Sequence, residues 1–421
     1  MRVAFLVNDL QLSGGVGVIV QHARHLSEID GWDVTLVLVR EQEQADWHGY
    51  EHLPNLHVRT RADALDEHYD VAVATWWETA FTLFEISAER HAYFVQSLED
   101  RFYRHDEAER LGAALTLDLP VAFITEARWI MRTLAQLRPD APCYLVRNGI
   151  DKELFPPLDN APVNAHDPLG VLVEGSPSSW FKHVHDAIHA AGEMREPRRL
   201  TVVTGEREAL GDVEADEVLG PLSHREMAAL YSRVDVVLKL SSVEGMFGPP
   251  LEGFHRGATC VVTPVTGHEE YVEHGWNGLI ADWDDLRGTA RQLDLLARDR
   301  RLLRFLRANA LETARSWPSW EQSSRFMAAA LWRISASPPT TAGAGAARLM
   351  SDLRAGVDLH GGLLRERAEL ARRNARVTRI VGRLRRSRAG RTLVALRATR
   401  AFRTLTYPLR PLTARLWRLL S

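Results

Sequence analysis

Cysteine is scarce in this sequence, and long apolar runs are absent. The 421 residues include two cysteines, Cys143 and Cys260, which excludes a disulfide framework and suits a reducing cytoplasm. No run approaches the roughly 20 apolar residues that cross a bilayer as a helix. The opening residues, MRVAFLVNDLQLSGG, lack the small-residue cleavage site of a secretory signal. The sequence therefore predicts a cytoplasmic globular protein.

Lysine is also scarce, and one long segment has no acidic residue. Three of the 52 basic residues are lysine: Lys152, Lys182 and Lys239. Residues 372–421 contain fifteen arginines and no Asp or Glu, so residues 1–371 carry a formal charge of −18 in a chain whose total is −3. The protein therefore combines an acidic body with a basic tail.

Short apolar runs recur along the chain and alternate with helix-like segments. Because these runs lack polar alternation, they predict strands buried on both faces, hence parallel sheets with helical crossovers. The rhythm restarts after a proline-containing stretch at 155–168. We therefore predict two Rossmann-like, doubly wound α/β domains that face each other across a cleft. The runs are RVAFLVN, WDVTLVLV, DVAVATWW, AYFVQ, VAFITEA and CYLVRNG, then LGVLVEGS, RRLTVVTGE, VDVVLKLSS and TCVVTPV.

Composition and periodicity set the predicted boundaries. Residues 1–160 form the first domain, residues 161–316 form the second, and a closing helix follows at 317–334. The stretch 335–347 has the composition of a flexible linker. Residues 348–421 are predicted to form a basic, amphipathic helical tail.

Two glycine-containing turns follow predicted strands, where sheets of this kind bind ligands. In SGGVG, Gly14 and Gly15 let the backbone approach an anion at a helix N-terminus; a tight turn that binds nothing is the alternative. In EGMFGPPLE, a proline can occupy the first turn of a helix, so that Glu244 and Glu252 project into one crevice. Two carboxylates there can bind pairs of hydroxyl groups, whereas capping or solvated acids are the alternative.

The second stretch and its surroundings resemble the donor site of retaining GT-B glycosyltransferases, family 4 in particular. The resemblance covers roughly residues 1–335 and implies a GT-B fold, a nucleotide diphosphate sugar as donor, and neither cofactor nor metal. It also implies that the helix 317–334 returns to the first domain, which binds the acceptor, while the second domain binds the donor. The matching stretches are Glu-x7-Glu, VRNGID at 146–151, LGPLSHREMAALYSRVDVVLKLSS at 219–242, GATCVVTPVTGHEEYVEHGWNGLI and SW near 319–320.

The resemblance further implies roles for individual residues. Glu252 holds the ribose hydroxyls, and Glu244 holds the donor sugar near its anomeric carbon. Lys182 neutralises the departing diphosphate, which makes Glu244 and Lys182 the catalytic pair. The other donor-binding residues are Gly14, Gly15, Phe247, Gly248, Asn148, Glu270 and Leu222.

Catalysis of this kind depends on stabilising charge as it develops. A lysine and helix N-termini beside the leaving phosphate stabilise the transition state more than the ground state, and closure of the cleft excludes water. The resemblance implies attack from the face that the phosphate leaves, with that phosphate taking the acceptor's proton. Two departures stand out: Ser176 occupies the place of an arginine, for which Arg147 is a candidate substitute, and Gly248 lies one residue later than usual.

The acceptor side is predicted from polar and aromatic residues of the first domain. Where many relatives carry a histidine, the stretch HAYFVQSLEDRFY offers Gln96 and Glu99. Trp76, Trp77 and Phe102 can stack on sugar rings, and a core role for one or both tryptophans is the alternative. This region resembles a branch of family 4 that includes rhamnosyltransferases of cell-surface polysaccharides.

Clustered histidines raise the question of a metal site. His183, His185 and His189 lie close together in KHVHDAIH, but no further ligands can be identified. His268 and His274 in HEEYVEH are six residues apart rather than four, so they do not share a helix face. We therefore predict no bound metal.

The basic tail has apolar residues at three- or four-residue steps, from Val377 to Leu405 and again from Leu409 to Leu420, with arginines on the other faces. This pattern is typical of a helix that lies on an anionic membrane, where each basic group contributes about 1 kcal/mol. An arm that docks on the acidic body, a helix of a homo-oligomer and a nucleic-acid-binding tail are the alternatives. We predict an anionic membrane partner for residues 372–421 and no nucleic acid.

The sequence as a whole predicts a glycosyltransferase at the inner face of the cell membrane, which adds a sugar to a glycan or lipid-linked acceptor of the cell envelope. Another GT-B enzyme, such as a sugar-nucleotide epimerase, is one alternative. A non-catalytic scaffold that binds a nucleotide sugar is the other. An epimerase would interconvert its donor without an acceptor, whereas a transferase would at most hydrolyse it slowly.

Overall fold

Two parallel β-sheets with intervening helices form the body of the protein. The computed structural model describes residues 1–11, 13–40, 55–158, 168–338 and 344–386. Within these ranges, one sheet has seven strands and the other has six. The predicted fold class, two doubly wound α/β domains, is confirmed.

The first sheet has the strand order β3-β2-β1-β4-β5-β6-β7, and its neighbouring strands are parallel. Its strands are β1 (Arg2–Val7), β2 (Asp33–Leu38), β3 (Leu56–Thr60), β4 (His68–Ala74), β5 (Ser87–Val95), β6 (Ala122–Thr125) and β7 (Cys143–Leu145). The helices between them are α1 (Gly14–Ser27), α2 (Arg61–Ala64), α3 (Trp77–Ala80), α4 (Ala108–Thr116) and α5 (Arg128–Leu137).

The second sheet has the order β10-β9-β8-β11-β12-β13 and is also parallel. Its strands are β8 (Leu169–Glu174), β9 (Arg198–Val203), β10 (Glu217–Leu219), β11 (Val236–Lys239), β12 (Thr259–Val262) and β13 (Leu279–Ile280). The helices of this half are α6 (Val184–Gly192), α7 (Arg207–Leu210), α8 (His224–Tyr231), α9 (Gly248–His255), α10 (Leu286–Arg298) and α11 (Arg300–Ser316).

The middle parts of the central strands are apolar because helices cover both faces of each sheet. Residues 3–7 of β1 and 236–238 of β11 are almost completely buried. The winding direction of each sheet reverses between two central strands, β1 and β4 in the first and β8 and β11 in the second. Crevices open beyond the carboxyl ends of the strands at such switch points, and these crevices bind ligands.

The helix α12 (Trp320–Ser335) follows the second sheet but packs against the first, where it contacts α1, β4 and β5. Its apolar residues Met327, Leu331 and Ile334 are buried in the core of the first sheet. The capping box of Ser319 and Gln322 starts the helix. This is the geometry that a return helix at 317–334 requires.

The last described element is the long helix α13 (Ala344–Arg386). It begins inside the stretch 335–347 that composition assigns to a linker, and residues 339–343 lie outside the described residues. The predicted tail pattern from Val394 to Leu420 also lies outside them. Among the described residues, no helix has both the length and the apolar character that a membrane span requires.

Candidate functional site

Lys182 and Glu244 form an ion pair at the switch point of the second sheet. Lys182 ends a 3-10 turn (Trp180–Lys182) in the connection that follows β8, and Glu244 lies in the loop after β11. The ammonium nitrogen is 2.8 Å from Glu244 Oε1 and 3.0 Å from Oε2. The structure thus brings together the two residues that the sequence proposes as catalytic.

A second lysine joins this pair. Lys239 Nζ donates to Glu174 Oε2 at 3.1 Å and lies 3.8 Å from Glu244 Oε1. Glu174 is the last residue of β8, and Lys239 is the last residue of β11. Two ammonium groups and two carboxylates therefore form a neutral cluster where the two central strands end.

Burial and charge act in opposite directions on these groups. Burial raises the pKa of Glu244, but Lys239 and Lys182 lower it by more, so the net pKa is below its ordinary value. Burial and then the ammonium of Lys239 lower the pKa of Lys182. Burial lowers the pKa of Lys239, but Glu174 and Glu244 overcome this effect and raise it. Glu244 is therefore held as a carboxylate.

The turn that carries Lys182 is fixed to the loop that carries Glu244. The amide of Ser242 donates to Phe181 O at 2.8 Å. His183 has a left-handed backbone conformation, and its ring lies 3.1 Å from Ser242 Oγ and 2.7 Å from Asp186 Oδ2. His183 thus positions Lys182, a role that the sequence did not suggest.

The helix α9 begins at Gly248, with Pro249 and Pro250 in its first turn, as the Gly-Pro-Pro sequence predicts. Pro249 and Pro250 have no N–H group, so in this turn the amide of Gly248 is the donor that remains to favour an anion. A methyl group added at Gly248 would lie 3.7 Å from Glu252 Oε1, so this carboxylate is next to the helix start. Burial and then Glu174 raise the pKa of Glu252 to about 7.

Two other predicted donor-binding residues have mainly packing roles. The ring of Phe247 is buried and packs on Tyr271, whose hydroxyl donates to Phe247 O at 2.6 Å. Phe247 can therefore offer a ligand its amide but not its ring. Leu222, between β10 and α8, is partly buried and packs against the core.

The glycine turn of the first domain approaches the second domain through Gln96. Gly14 and Gly15 start α1, where Ser13 is the N-cap. A methyl group added at Gly15 would lie 3.4 Å from Gln96 Oε1, and one added at Gly245 would lie 1.9 Å from Gln96 O. Gln96 thus lies between the glycine turn and the loop of Glu244.

The loop of Glu244 is also held by residues that follow β6. Trp129 Nε1 donates to Gly245 O at 2.9 Å, and the amide of Met246 donates to Glu126 Oε1 at 2.9 Å. Glu126 also accepts from Asn148 Nδ2 at 2.7 Å, so Asn148 acts here as a support for Glu126. Burial raises the pKa of Glu126 to about 8. These contacts join the two domains beside the Lys182–Glu244 pair.

Glu270 makes a further contact between the domains. Its Oε1 accepts from the amide of Arg128, the first residue of α5, at 2.6 Å. Its Oε2 is 3.7 Å from Arg147 Nε, and the guanidinium of Arg147 lies over the ring of Trp317 at 5.3 Å. Glu270 therefore caps the start of α5, a helix of the opposite domain, whereas the resemblance implies a donor-binding role.

Ser176, at the place of the expected arginine, contacts Glu206. Its hydroxyl donates to Glu206 Oε1 at 2.9 Å, and the amide of Ser178 donates to Glu206 Oε2 at 3.1 Å. Glu206 thus stabilises the connection that leads from β8 to Lys182. Arg147, the candidate substitute, pairs instead with Glu270.

The predicted acceptor-side residues separate into two groups. Trp76 stacks on Phe102 with ring centroids 5.8 Å apart, and Phe102 lies 5.1 Å from Phe181, the neighbour of Lys182. Trp180 Nε1 donates to Phe102 O at 3.1 Å. An aromatic row of partly exposed side chains therefore leads from the first domain to the Lys182 turn.

Trp77 and Glu99 are different because both are buried, with 6% and 3% of their surfaces exposed. Trp77 donates from Nε1 to Tyr103 OH, and Glu99 accepts from the amide of Trp77 and from Tyr93 OH. Burial raises the pKa of Glu99 well above its ordinary value. Trp77 and Glu99 thus belong to the core, and their acceptor-side interpretation is corrected.

The histidines that raised the question of a metal have other partners. His274 accepts from the amide of Ile280 at 2.8 Å, and the ring of His268 lies 2.7 Å from Val265 O. In the described part of the chain, no three His, Cys, Asp or Glu side chains form a group that could hold a metal ion.

Comparison with known proteins gives a family match within the second domain. Residues 170–299 match the family described as glycosyl transferases group 1. This segment contains Lys182, Lys239, Glu244 and Glu252. No curated protein sequence matches the chain.

Solved structures match both domains together. Sucrose-phosphate synthase from Thermosynechococcus elongatus has a TM-score of 0.65 at 16% identity, over 79% of this chain and 99% of that chain. HepE from Anabaena, in complex with UDP and glucose, has a TM-score of 0.63 at 17% identity, over 79% and 100%. The lipopolysaccharide outer core galactosyltransferase WaaB in its apo form has a TM-score of 0.58 at 13% identity, over 79% and 99%. The predicted GT-B fold is confirmed.

Proposed function

We propose that this protein is a retaining glycosyltransferase that moves a sugar from a nucleotide diphosphate donor to a glycan or lipid-linked acceptor. One observation carries the proposal. The Lys182–Glu244 ion pair lies at the switch point of the second sheet, in the segment that matches glycosyl transferases group 1. A lysine, a carboxylate and a free helix start together provide what a sugar diphosphate requires.

The geometry supports one orientation of the donor. The diphosphate lies against the amide of Gly248 at the start of α9, where Lys182 can reach it, because an amide and an ammonium both favour negative charge. The ribose meets Glu252, whose carboxylate is next to Gly248. The sugar extends toward Glu244 and the glycine turn of Gly14 and Gly15. HepE, which has this fold, was crystallised with UDP and glucose, in keeping with such a ligand.

The reaction breaks the bond between the anomeric carbon and the phosphate oxygen. The bonding electrons leave with the diphosphate, and Lys182 and the amide of Gly248 stabilise the charge that accumulates there. The acceptor oxygen attacks from the same face, and its proton passes to the departing phosphate oxygen. In this proposal the protein itself supplies the cations, so no metal takes part.

The acceptor enters along the aromatic row of Trp76, Phe102 and Phe181, since aromatic faces pack well on sugar rings. We place the enzyme at the inner face of the cell membrane because of its tail. Exposed apolar residues of α13 fall on one stripe of the helix, and 47–67% of their surfaces are exposed. They are Leu359, Leu363, Leu370, Val377 and Ile380. Arginines occupy the neighbouring positions, as an interfacial helix requires.

The test is a panel of nucleotide sugars assayed for binding and for release of the nucleoside diphosphate. The correct donor should raise the melting temperature, because a ligand that binds the folded state stabilises it. Glu244→Gln should bind that donor but lose at least about 100-fold in turnover, the scale on which loss of a positioned charge acts. Equal turnover in the wild type and the variant would contradict the proposal.

A non-catalytic scaffold that binds nucleotide sugars is the second candidate. One observation favours it: Ser176, which is hydrogen-bonded to Glu206, stands where the family that this sequence resembles has an arginine. A scaffold would bind the donor without turnover in both the wild type and Glu244→Gln.

A further inference from the structure

Lys239 is a lysine at a position that would ordinarily be apolar. It ends β11 after Val236, Val237 and Leu238, and its side chain is 4% exposed. A buried ammonium is costly unless it is paired. Lysine is also rare in this chain, which has three of them. Its presence here therefore calls for a specific partner.

The partner contacts place Lys239 behind the proposed catalytic pair. Its Nζ lies 3.1 Å from Glu174 Oε2 and 3.8 Å from Glu244 Oε1, while Lys182 Nζ lies 2.8 Å from the same Glu244 oxygen. Glu244 is thus flanked by two ammonium groups of unequal exposure. The side chain of Lys182 is 25% exposed, so Lys182 is the one that a ligand can reach.

We propose that Lys239 is a positioning residue that keeps Glu244 ionised and in place, so that Lys182 can leave Glu244 and bind the diphosphate of a donor. This inference rests on the proposed function, because it assigns the two lysines separate tasks at the same site. When the donor binds, Lys182 exchanges the Glu244 carboxylate for the diphosphate, whereas Lys239 stays beside Glu244.

The reason for two lysines follows from burial. If Lys182 alone paired with Glu244, its movement to a diphosphate would leave a buried carboxylate without a cation, and binding would have to overcome that cost. Lys239 removes this cost because its charge is already present at 3.8 Å. Repulsion between the ammonium groups of Lys239 and Lys182 also weakens the attraction of Glu244 for Lys182. Glu174 compensates Lys239 in turn, so the cluster stays neutral before the donor binds.

The test compares how much the diphosphate adds to binding. Dissociation constants are measured for UDP, GDP, ADP and dTDP and for the matching nucleosides. The nucleoside whose diphosphate binds most tightly is then chosen for the comparison of variants. The quantity of interest is the ratio of the nucleoside constant to the diphosphate constant. Lys182→Met should lower this ratio about 10-fold or more, the scale of a lost hydrogen bond to a charged group.

Lys239→Met should lower the same ratio by a similar factor. Lys239 also favours the ionised form of Glu252, but both ligands carry the ribose, so an effect on Glu252 cancels in the ratio. Lys239→Arg, which keeps the charge, should retain most of the wild-type ratio. The double variant Lys182→Met/Lys239→Met should lose no more than Lys182→Met alone, because Lys239 acts through Lys182. Lys152→Met is the matched control, since Lys152 Nζ donates to Arg315 O away from this cluster.

A change confined to packing would alter nucleoside and diphosphate binding together, and that result would overturn the inference. Additive losses in the double variant would also overturn it. If Lys239→Met does not fold, Lys239→Met/Glu174→Gln removes one charge of each sign and should show the same reduced ratio; an unchanged ratio there counts against the inference. If the wild type binds no diphosphate more tightly than its nucleoside, the proposed function itself fails.

Discussion

Gly245 lies at a close approach of the two domains beside the site, and Gly245→Ala perturbs this approach directly. The added methyl carbon would lie 1.9 Å from Gln96 O and 2.7 Å from Glu126 Oε1. An ordinary contact is 3.4–4 Å, so the domains would have to separate by about 1.5 Å at this point. Both close atoms belong to the first domain, whereas Gly245 belongs to the second.

The expected result is a loss of turnover with little loss of donor binding. The donor contacts proposed for Glu252, Lys182 and α9 all lie in the second domain and move with it. The distance from the donor to the acceptor domain increases, and a displacement of about 1 Å can cost about 100-fold in rate. We therefore expect kcat to fall by about 100-fold and the dissociation constant of the nucleoside diphosphate to stay within about threefold.

The assay measures nucleoside diphosphate release and, separately, binding by calorimetry. Gly192→Ala is the control: it ends α6, and its added methyl group would meet nothing closer than Arg198 Nη2 at 4.0 Å. This control should keep full activity. Wild-type turnover in Gly245→Ala would refute the view that contact between the domains at this loop is required for the reaction.

Three further outcomes are expected. Burial raises the pKa of Glu126 from 4.5 to about 8, so the protonated form stabilises the fold fully below about pH 4.5, and this contribution disappears as the pH rises toward 8. The melting temperature of Glu126→Gln should therefore increase relative to that of the wild type between pH 5 and pH 8. A constant difference between the two melting temperatures would contradict this. The pKa of Glu252 is about 7, so nucleoside affinity should rise from pH 6 to pH 8, and Glu252→Gln should abolish that rise in a calorimetric titration. Removal of residues 370–421 should release the protein from phosphatidylserine vesicles in a flotation assay while nucleotide binding persists; unchanged flotation would exclude the membrane proposal.

Much of the fold could be predicted from the sequence because the central strands are apolar on both faces. The runs that contain β1, β4, β8 and β11 have no other plausible structure in a chain of this length. The edge strands β3, β10 and β13 were missed. Two of them have two or three residues, and β3, with the sequence LHVRT, carries polar side chains because the edge of a sheet is less buried.

The candidate site was predictable where local sequence determines geometry. The Gly-Pro-Pro start of α9 and the loop that holds Glu244 follow from turn chemistry, and Lys182 was a candidate through the family resemblance. Glu126 and Gly245 were not recognisable, because their roles depend on how two separate domains meet. Lys239 had one signal, a lysine at the end of an apolar strand in a chain that contains three, and the sequence assigned it no role.

The central claim is tested most directly by a crystal structure of the protein in complex with the nucleoside diphosphate that binds most tightly. The decisive observation is the position of the diphosphate. The account predicts that the diphosphate contacts the amide of Gly248, that Lys182 Nζ lies within hydrogen-bonding distance of a phosphate oxygen, and that Glu252 contacts the ribose. A diphosphate bound elsewhere, with Lys182 still paired to Glu244, would contradict it.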